Sequence, residues 1–174
     1  DIALEEGAPI LIASQGGPQK HLARFHEAGR KWLHIVASAP HAEKAAAAGV
    51  DGLVCVGAEA GGHPPPNEVT TLVLTRRVVT AVPNLPVVAS GGIVDGAGIA
   101  SVLALGADGA QLGTRFLMTR EAGVHDAYKQ ACLKTEIDGT VVVGRGFGPI
   151  RMLKNAFATR YLAAEAAAAP KDEL

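Results

Sequence analysis

With 174 residues, 48% of them hydrophobic and 19% charged, and a formal net charge of −1, the chain has the composition of a soluble globular protein with a sizeable core. Near-neutral charge without a Lys/Arg cluster argues against nucleic acid or an anionic membrane as the main partner, and 4% aromatic content leaves no base-stacking platform. Cys55 and Cys132 have neither metal nor redox spacing and are expected to be reduced thiols of a cytoplasmic protein. No His/Cys/Asp cluster shows metal-ligand spacing. No run approaches the roughly 20 apolar residues of a membrane span, and no secretory leader is expected at the start.

In chain order, short apolar runs predict strands near 9–13, 32–37, 52–56, 86–89 and 108–112. Each is almost continuously apolar, as strands covered on both faces are. Helices are predicted near 18–28, 41–48, 68–82 and 96–105, with Pro40 introducing the second and Asp95 as N-cap of the fourth. Gly29, Gly49 and Gly106 each close a helical stretch just before the next apolar run, where a left-handed C-terminal residue is wanted. Segments 121–134 and 149–168 are predicted as further helices. "GRGFG" (144–148) lacks the third glycine and the βαβ setting of a dinucleotide fingerprint, and is expected to be a flexible loop. Residues 166–174 form an Ala-rich tail ending in Lys171-Asp172-Glu173-Leu174, an endoplasmic-reticulum address taken as coincidence because nothing else points to secretion.

Strands alternating with helices mean parallel βαβ units. Five such units are compatible with an open doubly wound sheet or with part of a closed (β/α)8 barrel. The last two strands end in "ASGGI" (89–93) and "LGTRF" (112–116). In barrels the loops after the last two strands often hold a ligand phosphate. Glycine admits close backbone approach, exposed N–H groups suit an anion, and Thr114 offers a hydroxyl. A nucleotide-type phosphate on Gly91, Gly92, Gly113 and Thr114 is therefore expected, the alternative being tight turns that bind nothing.

"GAEAGGH" (57–63), "PVVASGGI" (86–93), "LGADGAQLGTRFLMTRE" (105–121) and "RMLKNAF" (151–157) together resemble the nitronate monooxygenase family. That family, formerly called 2-nitropropane dioxygenase, includes the flavin-type enoyl-acyl-carrier-protein reductases. The resemblance runs from about residue 9 to 165 and implies a (β/α)8 TIM-type barrel that binds FMN. Residues 1–165 would be its C-terminal part, a partial barrel of five βα units plus C-terminal helices, with three earlier strands having no counterpart here. The implied cofactor contacts are Gly61, Gly62, Ser90, Gly91, Gly92, Gln111, Gly113 and Thr114. The implied activity is FMN-dependent oxidation of alkyl nitronates with dioxygen to a carbonyl compound and nitrite. An NAD(P)H-dependent enoyl reductase and a catalytically inactive barrel fragment are the alternatives. The partner would be a small molecule, a nitronate or an enoyl thioester, and a homo-oligomer is left open. One departure stands at 64–66, where Pro64-Pro65-Pro66 replaces a segment in which the family often has glycine.

His63 follows a strand end, where barrels place catalytic side chains. Gly61 and Gly62 let the backbone pass close to a flat cofactor, and the prolines then stiffen the loop. Imidazole can take or give a proton near neutral pH, so His63 is expected to abstract an acidic C–H proton or to hydrogen-bond a substrate oxygen. His21, His26, His41 and His125 are expected on exposed helical faces, and His34 in the core. Gln15, Gly16 and Gln111 could line the pocket. Ser38 is as much a turn residue as a flavin contact. Glu59 is either a loop anchor or half of an acid/base pair, and Asn155 is expected to fix the C-terminal helix.

Overall fold

The structure, a computed structural model, describes residues 2–170; the Lys171–Leu174 address lies outside the described residues. A short helix α1 (Ile2–Glu5) leads to β1 (Ile10–Ala13), α2 (Gln19–Glu27), β2 (Lys31–Val36), α3 (Ala39–Ala47) and β3 (Gly52–Val56). The alternation continues through α4 (Thr71–Ala81), β4 (Val87–Ser90), α5 (Gly96–Ala104), β5 (Gly109–Gln111) and a short α6 (Thr114–Leu117). Then come α7 (Asp126–Leu133), the strands β6 (Thr140–Val143) and β7 (Ile150–Leu153), and α8 (Ala156–Ala166).

Strands β1 to β5 form one parallel sheet in sequential order. A doubly wound sheet would reverse its order about a switch point. Sequential order is that of a barrel wall, here five strands long. Asp95 caps α5 as predicted, its Oδ1 accepting from the Gly98 amide at 2.9 Å, and Asn155, expected to fix the C-terminal helix, does so as its N-cap, Oδ1 accepting from the Ala158 amide at 2.8 Å. Gly29, Gly49 and Gly106 all have positive φ at their helix ends.

Alternation along the strands divides the side chains between two faces. Trp32, Val36, Leu53, Cys55, Val87 and Ala89 pack beneath the helices with Leu22, Phe25, Ala42, Leu74, Val78 and Val102 in one buried cluster. Phe25 meets Trp32 edge to face at 5.3 Å. The opposite row, on the barrel's inner face, is less covered at the β1 end: Ile10 and Ile12 are 52% and 50% exposed, and Leu33 and Ile35 are half-buried. At the N-terminal end of β2 and β3, Asp51 accepts from Lys31 Nζ, His26 Nε2 and the Trp32 amide, each at 2.8 Å. Burial opposes ionisation there, but these donors outweigh it and hold the carboxyl at about 2.

One expectation fails in the C-terminal region. Residues 150–153, predicted helical, are strand β7, paired antiparallel with β6. The "TVVV" run at 140–143 is β-branched and offers a partner, so pairing overrides the helical tendency of the later segment. "GRGFG" is, as expected, a loop and not a dinucleotide turn, and it connects the two strands of a hairpin. Gly144 has φ +72°, its carbonyl accepts from the amides of Phe147 and Gly148, and its amide donates to Glu165 on α8.

Candidate functional site

The C-terminal ends of all five parallel strands open on a cavity of about 520 Å³, within the range of small-molecule sites. Eight of the nine residues singled out from the sequence line it: Gly61, His63, Ser90, Gly91, Gly92, Gln111, Gly113 and Thr114. Gly62 is not in the wall; its backbone pairs with Arg151 instead. Gln15 lines the cavity, and Gly16 next to it does not. Ser38 stays outside and caps α3, accepting from the His41 amide at 3.3 Å.

The glycines have separate physical reasons. A Cβ at Gly57 would lie 2.3 Å from Thr71 Oγ1, and one at Gly91 2.6 Å from the same atom. Thr71 sits between the strand-end loops, its hydroxyl 2.9 Å from both Glu59 Oε2 and the Gly91 carbonyl. Glu59 Oε2 also accepts from the Thr71 amide at 2.8 Å, so this carboxylate anchors the β3 loop to the start of α4. Gly92, at φ +68°, leaves no room either, since its Cβ would be 2.8 Å from Glu59 Cβ. Gly113 differs. Its φ is −96°, and nothing among the described residues comes within 4 Å of where its Cβ would stand. Its smallness faces open space, beside the first-turn amides of α6, which a helix leaves without internal acceptors. A Cβ at Gly61 would be 3.8 Å from Thr114 Oγ1, so the His63 loop reaches the glycine strand ends directly.

His63 is exposed at the cavity mouth, while Pro64 and Pro65 behind it are buried. The loop is held by the β6–β7 hairpin. Arg151 and Gly62 exchange backbone hydrogen bonds of 2.7 and 3.2 Å, and Arg151 Nη2 donates to the Ala58 carbonyl at 2.9 Å. Further on, Arg145 pairs with Glu68 at 2.8 Å, and Asn67 Nδ2 donates to the Ala37 carbonyl at 2.8 Å. His63 also borders a second cavity of about 340 Å³, walled mainly by Phe147, Met152, Phe157 and Tyr161.

Two histidines complete the picture. His34 is 1% exposed, as the strand pattern requires, and neither ring nitrogen has a hydrogen-bond partner among the described residues. Its ring lies edge-on to that of His41 at 5.5 Å. Burial, and then the neighbouring His41, lower the pKa of His34; burial and then Lys44 lower that of His41. His41, expected on an exposed helical face, is instead half-buried and lines the main cavity. The sequence pattern could not place it, because the α3 face that meets the strand ends depends on how the helix lies on the sheet.

A wall of parallel strands in sequential order, with a ligand-sized cavity at their C-terminal ends and glycine at two successive ones, defines a (β/α)8-barrel-type protein with a strand-end ligand site. The chain belongs to the nitronate monooxygenase family, whose sequence profile matches residues 1–174. It is 38% identical over 155 residues to a Mycobacterium tuberculosis protein named (3aS,4S,5R,7aS)-5-hydroxy-7a-methyl-1-oxo-octahydro-1H-indene-4-carboxyl-CoA dehydrogenase, a match covering 88% of this chain and 44% of that one. It is 41% identical over 143 residues to a nitronate monooxygenase of Paraburkholderia phytofirmans, covering 76% and 38%. The structure of FabK from Thermotoga maritima superposes with a TM-score of 0.89 at 40% identity, over 94% of this chain and 52% of that one. The chain thus spans less than half the length of these curated relatives and about half of that structure.

Proposed function

We propose that this chain supplies the FMN phosphate site and the catalytic histidine of an oxidoreductase that converts alkyl nitronates and dioxygen to carbonyl compounds and nitrite. The observation that carries the reading is the convergence of His63 with the glycine-bearing ends of β4 and β5 on one cavity. The residues fit the cofactor. Gly113 has free space where a side chain would stand, Gly61 lies beside Thr114, and the cavity has room for a flat ring system. Gly91, Gly92, Gly113 and Thr114 would hold the phosphate. Ser90 and Gln111, on the inner row, would face the rest of the cofactor, and Gly61 would let the backbone approach its ring. When bound, FMN would carry electrons between nitronate and dioxygen, two nitronates and one dioxygen giving two carbonyls and two nitrites.

The role of His63 is to take the acidic C–H proton of a neutral nitroalkane, or to hold a nitronate oxygen once that proton is gone. In the flavin-loaded protein, His63→Asn should leave fold and flavin content intact. It should lower turnover of a neutral nitroalkane by about 10²–10⁴-fold, the range for a lost acid/base group, and that of a preformed nitronate by less. Equal losses on both substrates would make His63 an orienting group only, and no loss on either would remove it from the site.

A second reading, an NAD(P)H-dependent reductase of acyl thioesters, is supported by the relative named as a carboxyl-CoA dehydrogenase, by the likeness to FabK and by the apolar cavity beside His63. Anaerobic flavin reduction by NAD(P)H alone would favour it. Among the described residues no helix is long and apolar enough to cross a membrane, and Cys55 and Cys132 are free thiols. The reading places the protein in the cytoplasm, acting on a small molecule.

A further inference from the structure

We infer that Arg151 is the positioning residue of His63, an inference that rests on the reading of His63 as the acid/base group. Arg151 lies on β7, far from the histidine in sequence, yet it grips the histidine's loop at two places. Its backbone exchanges hydrogen bonds with Gly62, the residue before His63, and its Nη2 donates to the carbonyl of Ala58 at 2.9 Å. Between those two fixed points lie Glu59, Ala60 and Gly61, all in the cavity wall. The other limb of the guanidinium, Nη1, donates at 3.1 Å to Thr140 Oγ1 on β6. Nε is buried and has no acceptor among the described residues, so the side-chain bonds of Arg151 run to Ala58 and Thr140 alone.

Gly61 and Gly62 give the approach to His63 wide conformational freedom, and Gly62 sits at φ +73°. The three prolines restrain only the segment after the histidine. The Glu59–Thr71 tie stops short of the two glycines, so the upstream half needs a further clamp, and a planar guanidinium can hold two acceptors in fixed directions where an ammonium holds them loosely. The hairpin therefore adds, next to the histidine, a second hold to the Glu59–Thr71 tie, and so sets where the imidazole stands.

The test uses Arg151→Met and Arg151→Lys in the flavin-loaded protein, with His63→Asn and the double variant His63→Asn/Arg151→Met. Arg151→Met should keep its flavin and lower kcat on a neutral nitroalkane by about 10–100-fold with KM little changed, the cost of a misplaced reacting group. Arg151→Lys should recover part of the loss. In the His63→Asn background, Arg151→Met should cost no further turnover. Hydrogen exchange of residues 58–63 in the flavin-free protein should quicken by about tenfold or more while that of β3 stays unchanged, since the ties lost are to the loop and to β6 and none is to β3. Additive losses in the double variant, or unchanged exchange in 58–63, would overturn the inference. Should Arg151→Met fail to fold, Thr140→Val removes the brace without touching the loop and should shift kcat and exchange the same way by less. Full turnover by His63→Asn would overturn the inference along with the reading beneath it, whereas loss in His63→Asn without loss in either clamp variant would overturn the inference alone.

Discussion

His34 is a fully buried imidazole, and burial and then the neighbouring His41 outweigh the raising contribution of the Gly16 backbone, which is why its pKa falls below the ordinary 6.5. A lowered folded pKa means that the unfolded chain binds more protons, so stability rises with pH and is lost as pH falls from about 6.5 toward the lowered value. In urea unfolding between pH 7.5 and 5, His34→Leu should flatten that decline, with His41 leaving a residual slope. Parallel slopes for wild type and variant would show that His34 does not set the dependence. That His34 is buried was legible from its place in an apolar run. That His41 leans against it was not, since the contact joins a strand to the next helix and depends on their packing.

Among the elements, the strand-end glycines allow a clean separation of folding from binding. Gly92→Val would confound them, because φ +68° and the nearby Glu59 already demand glycine. At Gly113 an added Cβ has no atom of the described residues beyond its chain neighbours within 4 Å, so Gly113→Val extends into the space assigned to the phosphate. It should leave the melting temperature unchanged and weaken FMN retention by at least about tenfold, equivalent to about 1.4 kcal/mol. Equal flavin content in purified wild type and variant would remove the phosphate from β5. The five βα units were legible because each strand is a short apolar run and three of them, β2, β3 and β5, follow a helix-ending glycine. The β6–β7 hairpin was not, because its strands gain their stability from each other and from Gly62 across the chain, and a run such as 150–153 has no alternation of its own to declare it.

For the whole molecule, β1 and β5 each have a neighbour on one side only, and the inner row leaves Ile10 and Ile12 half exposed. Open strand edges beside apolar surface invite association. The 174-residue chain by itself is therefore expected to self-associate and to hold FMN more weakly than a protein that also contains the other barrel strands. Sedimentation and flavin titration of both would check this, and a monomeric chain with undiminished FMN affinity would refute it. What the sequence by itself determined is the set of local facts: the strand and helix periods, the caps, the glycine ends, the His63 loop and the family resemblance, each encoded within a few neighbouring residues. Only the tertiary structure decided which of those loops share a cavity, that His41 joins its wall, and that Arg151 crosses to Ala58 and Gly62. The Arg151–Ala58 bond alone joins residues 93 positions apart, and the free energy of such a contact exists only once the sheet and hairpin have brought its ends together.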